Sequence, residues 1–387
     1  MFGVLLASYA VNAMDRQLFP LVAPEVRSEY GFSLAGIGLL STVFTLGMAV
    51  AGAPTGFLLA RFSRKAVLQA GIALFSAGTV LTILSRGFPD MLLYRAVTGI
   101  GEAMQLTVLL AIAANFFVGY RAAALGAVNC SFAVGAIISP LLAGALLSAY
   151  GSWQVPMVVF GALGFVAMAV IAVTVDPSMT EREAATTIHV DDGGAATLGN
   201  RNTILLTVMS LLGGLVIYGF LGMYPTFLRE GLGYAPTTAG SIMGLYGLGA
   251  LASIAGGWIG DRGSPRLVLS LTFVVAAVLV YLLFNGPGSY YWQATLAFAW
   301  GVVVSGVMYV NLAGYHVKAV RRTLAGRASG VFVTSLYLSA AGAGYLMGWI
   351  ANRAGWGDAG TIQISFFSLC AAGLALALRP EEMSAAR

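Results

Sequence analysis

Of the 387 residues, 59% are hydrophobic and only 9% charged, and the mean hydropathy is +0.87. A soluble domain carries about 25% charge, so water cannot be the solvent of this surface and lipid must be. The net charge of +5 does not point to nucleic acid, since no basic run is interleaved with aromatics.

A spanning helix needs about 20 apolar residues. Cutting the chain at charged and Gly/Pro-rich breaks gives twelve runs, at 2–25, 33–59, 66–85, 90–117, 122–149, 153–175, 203–228, 236–259, 267–285, 290–316, 324–351 and 358–378. Runs of this length exclude a membrane β-barrel, whose strands are short and alternating. The first run has no basic leader or small-residue cleavage pattern, so it reads as a span and not a signal peptide. Cys130 and Cys370 lie inside runs and read as small buried hydrophobes, with no support for a disulfide or metal role. No cofactor is expected, and the chain is read as a monomer.

With the N-terminus inside, the inner loops and tail hold Arg61, Arg64, Lys65, Arg121, Arg182, Arg201, Arg262, Arg266, Lys318, Arg321, Arg322, Arg327, Arg379 and Arg387. The outer loops hold Arg27, Arg86, Arg229 and Arg353, while Arg16 and Arg95 lie within runs. This 14-to-4 bias places both termini in the cytoplasm of a multi-pass inner-membrane protein. The polar stretch Asp176 to Asn202 divides the chain and reads as a linker, with a short surface helix around Thr180 to Ala185. Its His189, Asp191 and Asp192 read as solvated charge and not as a metal site. The halves repeat: G-F-L-L-A-R-F-S-R-K (Gly56 to Lys65) follows the second run and G-W-I-G-D-R-G-S-P-R (Gly257 to Arg266) the eighth. The expected fold is therefore all-α, twelve transmembrane helices in two six-helix bundles, at 1–175 and 203–387, joined by a linker at 176–202.

Charge inside a span is expensive and marks a functional site. The first run carries N-A-M-D-R, Asn12 to Arg16, and the fourth carries R-A-V-T-G-I-G-E-A, Arg95 to Ala103, with Glu102. Arg16 and Glu102 lie eleven and twelve residues from the outer ends of their runs, or roughly 16–18 Å deep at about 1.5 Å per residue. That is the middle of a core about 30 Å thick, where transporters bind their solutes. Arg16 offers a permanently charged fork for a carboxylate. Glu102, in apolar surroundings, is a candidate to carry a proton, and Asp15 can share that proton or hold Arg16 in the empty site. Arg95 lies nearer the outer surface and reads equally as an attractor of anions at the mouth or a snorkelling anchor. Tyr9 and Asn12 can share the face of Arg16. Together with Gln105, Tyr218, Tyr309 and Asn311 they are the candidates to bind the solute, although helix-to-helix bonding is as open for each. Asn115, Asn129, Tyr224, Tyr246, Ser335 and Tyr337 are further polar residues within runs. The second half has no charge deep in its runs, and His316 lies near an inner end. That asymmetry favours a monoanion with an apolar or hydroxylated body.

The duplicated loop resembles the motif G-x-L-a-D-R-x-G-R-K of the major facilitator superfamily, and the resemblance extends over nearly the whole chain. It implies gating roles for Arg61, Arg64, Lys65, Asp261, Arg262 and Arg266. The first copy has Ala60 in place of the motif's Asp. In the family that Asp latches the halves when the carrier opens outward, so its loss implies easier access to inward-open states. The helix 1 and helix 4 segments resemble the anion:cation symporter group and the spinster-like carriers, in which residues matching Arg16 and Glu102 are functional and Asp15 matches a companion acid. G-A-I-I-S-P-L-L-A-G, Gly135 to Gly144, resembles the antiporter motif. The expected function is secondary active transport, by proton-coupled symport of a small organic monoanion such as a sugar acid or aromatic acid. The alternatives are a lysolipid or sphingoid carrier, an organic-anion exchanger and, ranked last, a membrane receptor. Metal spacings, a phosphate loop and a Ser/His/Asp arrangement are missing, so an enzyme is not expected.

Overall fold

The computed structural model describes residues 1–117, 120–181 and 194–384. The first bundle is built from α1 (Phe2–Tyr30), α2 (34–59), α3 (Arg64–Leu81), α4 (Phe88–Phe116), α5 (Arg121–Tyr150) and α6 (Gln154–Thr174). The second is built from α7 (Arg201–Thr226), α8 (Pro236–Arg262), α9 (Pro265–Asn285), α10 (Tyr290–Lys318), α11 (325–354) and α12 (356–376). Among the described residues, ten stretches are long and apolar enough to span by those measures alone. α1, which carries Asp15 and Arg16, is too polar to be among them, and the single stretch Arg322–Leu376 supplies two helices because Gly355, at φ 88°, breaks it. Among the described residues there is no strand, only one bridge, between Ala195 and Val320. The side chains of Val166, Val173, Leu267 and Leu271 are exposed, as lipid-facing positions must be.

Helix α1 runs five residues beyond the expected end at 25. Its last turns carry Glu25 and Arg27, which pair with Arg229 and Glu230 at the end of α7, so charge stabilises the extension rather than ending it. A single helical turn, Pro177–Thr180, ends where the expected surface helix of Thr180 to Ala185 would begin, and most of that helix falls in residues 182–193, which with His189, Asp191 and Asp192 lie outside the described set.

The termini share one face of the molecule: Ser384 donates to the Lys318 carbonyl at the end of α10. Opposite that face the bundles are closed. Arg229 meets Glu25 at 2.5 Å, Arg27 pairs with Glu230, and the Thr42 hydroxyl donates to the Ala341 carbonyl at 2.9 Å. Here α2 and α11 touch backbone to backbone: a methyl group on Gly38 would overlap the Gly344 carbonyl, and one on Gly344 would overlap that of Gly38. On the terminal face the same two helices splay. Gly52 and Gly56 of α2, and Gly326 and Gly330 of α11, face open space, and Val50 and Phe57 are more than half exposed. The molecule is closed opposite its termini and open toward them.

The contact at Gly38 makes a prediction. Gly38→Ala forces α2 and α11 apart and is expected to shift the population toward the conformer open at the opposite face. Cysteines placed near Ser41 and labelled from that face report this shift as faster modification than in the parent protein.

Candidate functional site

Three side chains set the register of α1 against α4. The Asn12 amide donates to the Glu102 carbonyl at 3.2 Å and to Gln105 Oε1 at 2.9 Å, and Gln105 donates to Ser8 Oγ at 3.0 Å. The helices run in opposite directions, so one turn beyond this clasp on α1 lies beside one turn back on α4. That step brings Arg16 to Glu102, with Nε 3.1 Å from Oε2. Both residues are buried, and the guanidinium lies 5.8 Å from the Phe132 ring and 6.0 Å from the Tyr9 ring.

A second pair sits beside the first. Asp15 Oδ1 accepts from the Thr79 hydroxyl of α3 at 2.6 Å, and Oδ2 lies 3.8 Å from Arg95 Nη1. Arg95 is fully buried, with its guanidinium 4.9 Å from Phe19 and 5.5 Å from Phe44, and none of its nitrogens makes a hydrogen bond. It is thus neither at a mouth nor snorkelling, because Asp15 and the two rings offset its burial in place of water. The signal was present in the sequence: Arg95 precedes Glu102 by seven residues, two helical turns, which puts both on one face. Of the two roles the sequence left open for Asp15, it does not hold Arg16: Asp15 faces Arg95 and lies beside Glu102, which faces Arg16.

The expected cost of breaking the inner pair is large. Arg95→Leu leaves Asp15 buried without a cationic partner, which costs about 3–5 kcal/mol. Adding Asp15→Asn removes the orphan charge and is expected to recover most of that loss, as thermal unfolding in detergent would register.

Between the bundles lies a cavity of about 160 Å³. Arg16 is the charged residue on its wall, and Tyr9, Phe132, Tyr218, Tyr246 and Tyr309 are among the rings that surround it. Tyr9, Arg16, Tyr218 and Tyr309 therefore meet on one space, as candidates to bind a solute together must. Asn12, Gln105 and Asn311 do not line it. The first two form the α1–α4 clasp, and Asn311 donates to the Gly256 and Val307 carbonyls at 2.9 Å each, tying α10 to α8. A buried amide is spent where backbone or side-chain partners are nearest, and composition alone does not show where that is. Tyr246 and Tyr337 on the wall were polar positions of no special rank in the sequence, Ser305 was not singled out, and Phe132, Leu106 and Leu221 gave no signal, since an apolar wall residue reads like any lipid-facing one.

The residues of the duplicated loop lie away from this space and each serves its own bundle. Arg61 covers the Phe57 ring at 4.2 Å, as Arg262 covers Trp258 at 4.4 Å. Arg64 reaches the Thr180 carbonyl, and Lys65 those of Ala172 and Val175. The backbone amides of Arg64 and Lys65 also donate to the Glu181 carboxylate, which lowers its proton affinity despite partial burial. Asp261 pairs with Lys318 at 2.9 Å, and Arg266 bonds the Leu378 carbonyl. In the α5 segment, Ser139 donates to the Met14 carbonyl at 2.6 Å and the Pro140 carbonyl packs on Gly240. That segment holds α1 and α8 together.

A family profile described as Major Facilitator Superfamily matches residues 5–344. The chain is 22% identical to the 4-hydroxybenzoate transporter PcaK of Pseudomonas putida over 334 residues, covering 76% of this chain and 73% of that one. It is 25% identical to the hexuronate transporter of Bacillus subtilis over 318 residues, 79% of this chain and 75% of that protein. To the protein spinster of Drosophila melanogaster it is 28% identical over 237 residues, 58% of this chain and 38% of that protein. Among solved structures, a bacterial homolog of the human lysosomal transporter spinster, inward-facing and occupied, superposes with a TM-score of 0.71 at 18% identity, covering 97% of this chain and 94% of that one. The nucleoside transporter NupG superposes with a TM-score of 0.77 at 14% identity, covering 97% and 98%. These structural likenesses establish the fold.

Proposed function

The chain belongs to the major facilitator superfamily of transporters, and from that premise we propose that it is a proton-coupled symporter of a small organic monoanion. One observation carries this reading. Two carboxylates, Asp15 and Glu102, and two guanidinium groups, Arg16 and Arg95, form a buried set whose charges cancel, and of the four only Arg16 lines the cavity.

The coupling follows from charge in a medium of low dielectric. A monoanion that reaches Arg16 shares the guanidinium with Glu102, and would leave the set with one uncompensated negative charge, which burial makes costly. A proton on Glu102 removes that charge and frees the Arg16 fork for the incoming carboxylate. The set plus anion plus proton is again neutral, so the loaded carrier can change shape as the empty one does, while the half-loaded carriers are disfavoured. Asp15, held by Arg95 and Thr79, keeps the second cation balanced throughout.

The alternation itself has its parts in place. The four charges of α1 and α7 and the Gly38–Gly344 contact close the face opposite the termini, and the positive-inside bias makes that face the outside of the membrane. In this conformer the anion site therefore communicates with the cytoplasm. The opposed conformer requires those pairs to part and the splayed ends of α2 and α11 to meet.

The test uses protein in liposomes, a panel of carboxylates and an imposed pH gradient. Accumulation of a carboxylate on the alkaline side is expected. A carrier that equilibrates the same solute with no response to the gradient is not a proton symporter, and uptake of lysolipid without any carboxylate would point instead to lipid transport.

A further inference from the structure

Resting on the monoanion reading above, we infer that the solute is a flat aromatic monocarboxylate whose ring is gripped between the two bundles, and not a polyhydroxylated acid. The sequence left both open. The cavity decides between them by what its walls offer at the depth of Arg16.

Six rings, Tyr9, Phe132, Tyr218, Tyr246, Tyr309 and Tyr337, line a space of about 160 Å³ that holds a single cation. Phe132 comes from the first bundle and Tyr218 from the second. Both also line a small void on the far side of Arg16, so they flank the guanidinium on opposite sides of the bundle interface. Tyr218 is further set by edge contacts with Phe44 at 6.0 Å and Tyr337 at 5.9 Å between ring centres. Such rings present faces and edges that favour another aromatic ring over a saturated body of equal size.

A sugar acid makes a different demand. Each of its hydroxyls has to exchange water for a protein partner, and a hydroxyl left without one costs free energy on entry. The polar groups here are poorly placed for that. The Tyr246 hydroxyl and Ser305 Oγ already bond each other at 2.7 Å. Asn129 lies one turn from Phe132 toward the terminal face, and Ser253 lies two turns beyond Tyr246 in the same direction. A carboxylate seated on Arg16 thus has mostly apolar and aromatic wall around its body, and the hydroxyls nearest it belong to the rings themselves and are already engaged, Tyr9 with Arg16 and Tyr218 and Tyr309 with Tyr337.

The experiment measures binding to the purified, full-length protein in detergent by titration calorimetry with benzoate, cyclohexanecarboxylate, glucuronate and a lysophospholipid. Benzoate is expected to bind at least tenfold tighter than glucuronate and several-fold tighter than cyclohexanecarboxylate, which has the same charge and nearly the same size but no π-face. Phe132→Leu is expected to weaken benzoate about tenfold and to erase the preference over cyclohexanecarboxylate. Its unfolding temperature without ligand serves as the check that the variant is folded. Phe132→Tyr, which keeps the ring, retains the preference and guards against a variant that fails to fold. Glucuronate equal to or tighter than benzoate, or no difference between the two six-membered rings, overturns the inference. In that case gradient-driven uptake of glucuronate would still support proton symport, so this inference can fall while the transport reading stands. Binding of the lysophospholipid alone would remove both.

Discussion

Glu102→Gln is expected to abolish gradient-driven accumulation while leaving exchange of solute across the membrane intact. Glutamine matches the protonated acid in shape and charge, so the variant is locked in the state that releases Arg16. The anion site is then always available, and binding loses its dependence on pH. The wild-type carboxylate lies 3.1 Å from Arg16 and competes with the solute for the same guanidinium. A charge-assisted bond of this kind contributes about 1.5–3 kcal/mol, so removing the competitor is expected to tighten anion binding by about 10–100-fold at alkaline pH. The accumulation ratio in liposomes falls to about one, because no proton crosses with the anion. A variant that still concentrates solute against a gradient would move proton coupling to another group.

Arg16→Gln is the converse. It removes the one charged side chain on the cavity wall, and the anion loses a charge-assisted bond that nothing on the second bundle replaces. Binding is expected to weaken by about 10–100-fold, on the same 1.5–3 kcal/mol. Glu102 is then left buried and unpaired. Combining the change with Glu102→Gln removes that charge and is expected to restore thermal stability without restoring binding. Arg16→Lys keeps the charge but not the planar fork, and falls between the two. Titration calorimetry with benzoate separates these outcomes, and an unchanged affinity in Arg16→Gln would take the anion away from this residue.

Most of the architecture was legible in the sequence because lipid imposes a simple demand. Every span must satisfy its own backbone and present apolar side chains, so length and hydropathy locate the helices to within a few residues. The exceptions are physical. The end of α1 was placed too early because Glu25 and Arg27 look like a loop until Arg229 and Glu230 are beside them. The break at Gly355 falls in the gap left between the runs ending at 351 and beginning at 358, although the left-handed residue itself is marked only as one more glycine among 50.

The site divides along the same line. Arg16 and Glu102 stood out because charge in a span is rare, and their depth placed them together. Arg95 was misplaced because distance from a helix end measures depth and not direction: two turns above Glu102 it still faces inward, where Asp15 meets it. The polar uncharged residues were the least legible. Asn12, Gln105 and Asn311 read equally as solute ligands or helix-to-helix bonds in the sequence and serve as clasps between helices, while Phe132 looks like lipid surface and lines the cavity. Which way an amide or a ring faces is settled by neighbouring helices, which a single sequence does not display.

Whether anion and proton cross together can be read from one trace. Protein in liposomes loaded with a pH-sensitive dye, with the membrane potential clamped, receives benzoate or glucuronate on the outside at equal pH across the membrane. Entry of the accepted anion is expected to acidify the interior at a rate equal to its uptake, one proton per anion, and Glu102→Gln, confined to exchange, should give neither net uptake nor acidification. Uptake by the wild-type protein that leaves the internal pH unchanged would contradict coupling through the Arg16–Glu102 pair.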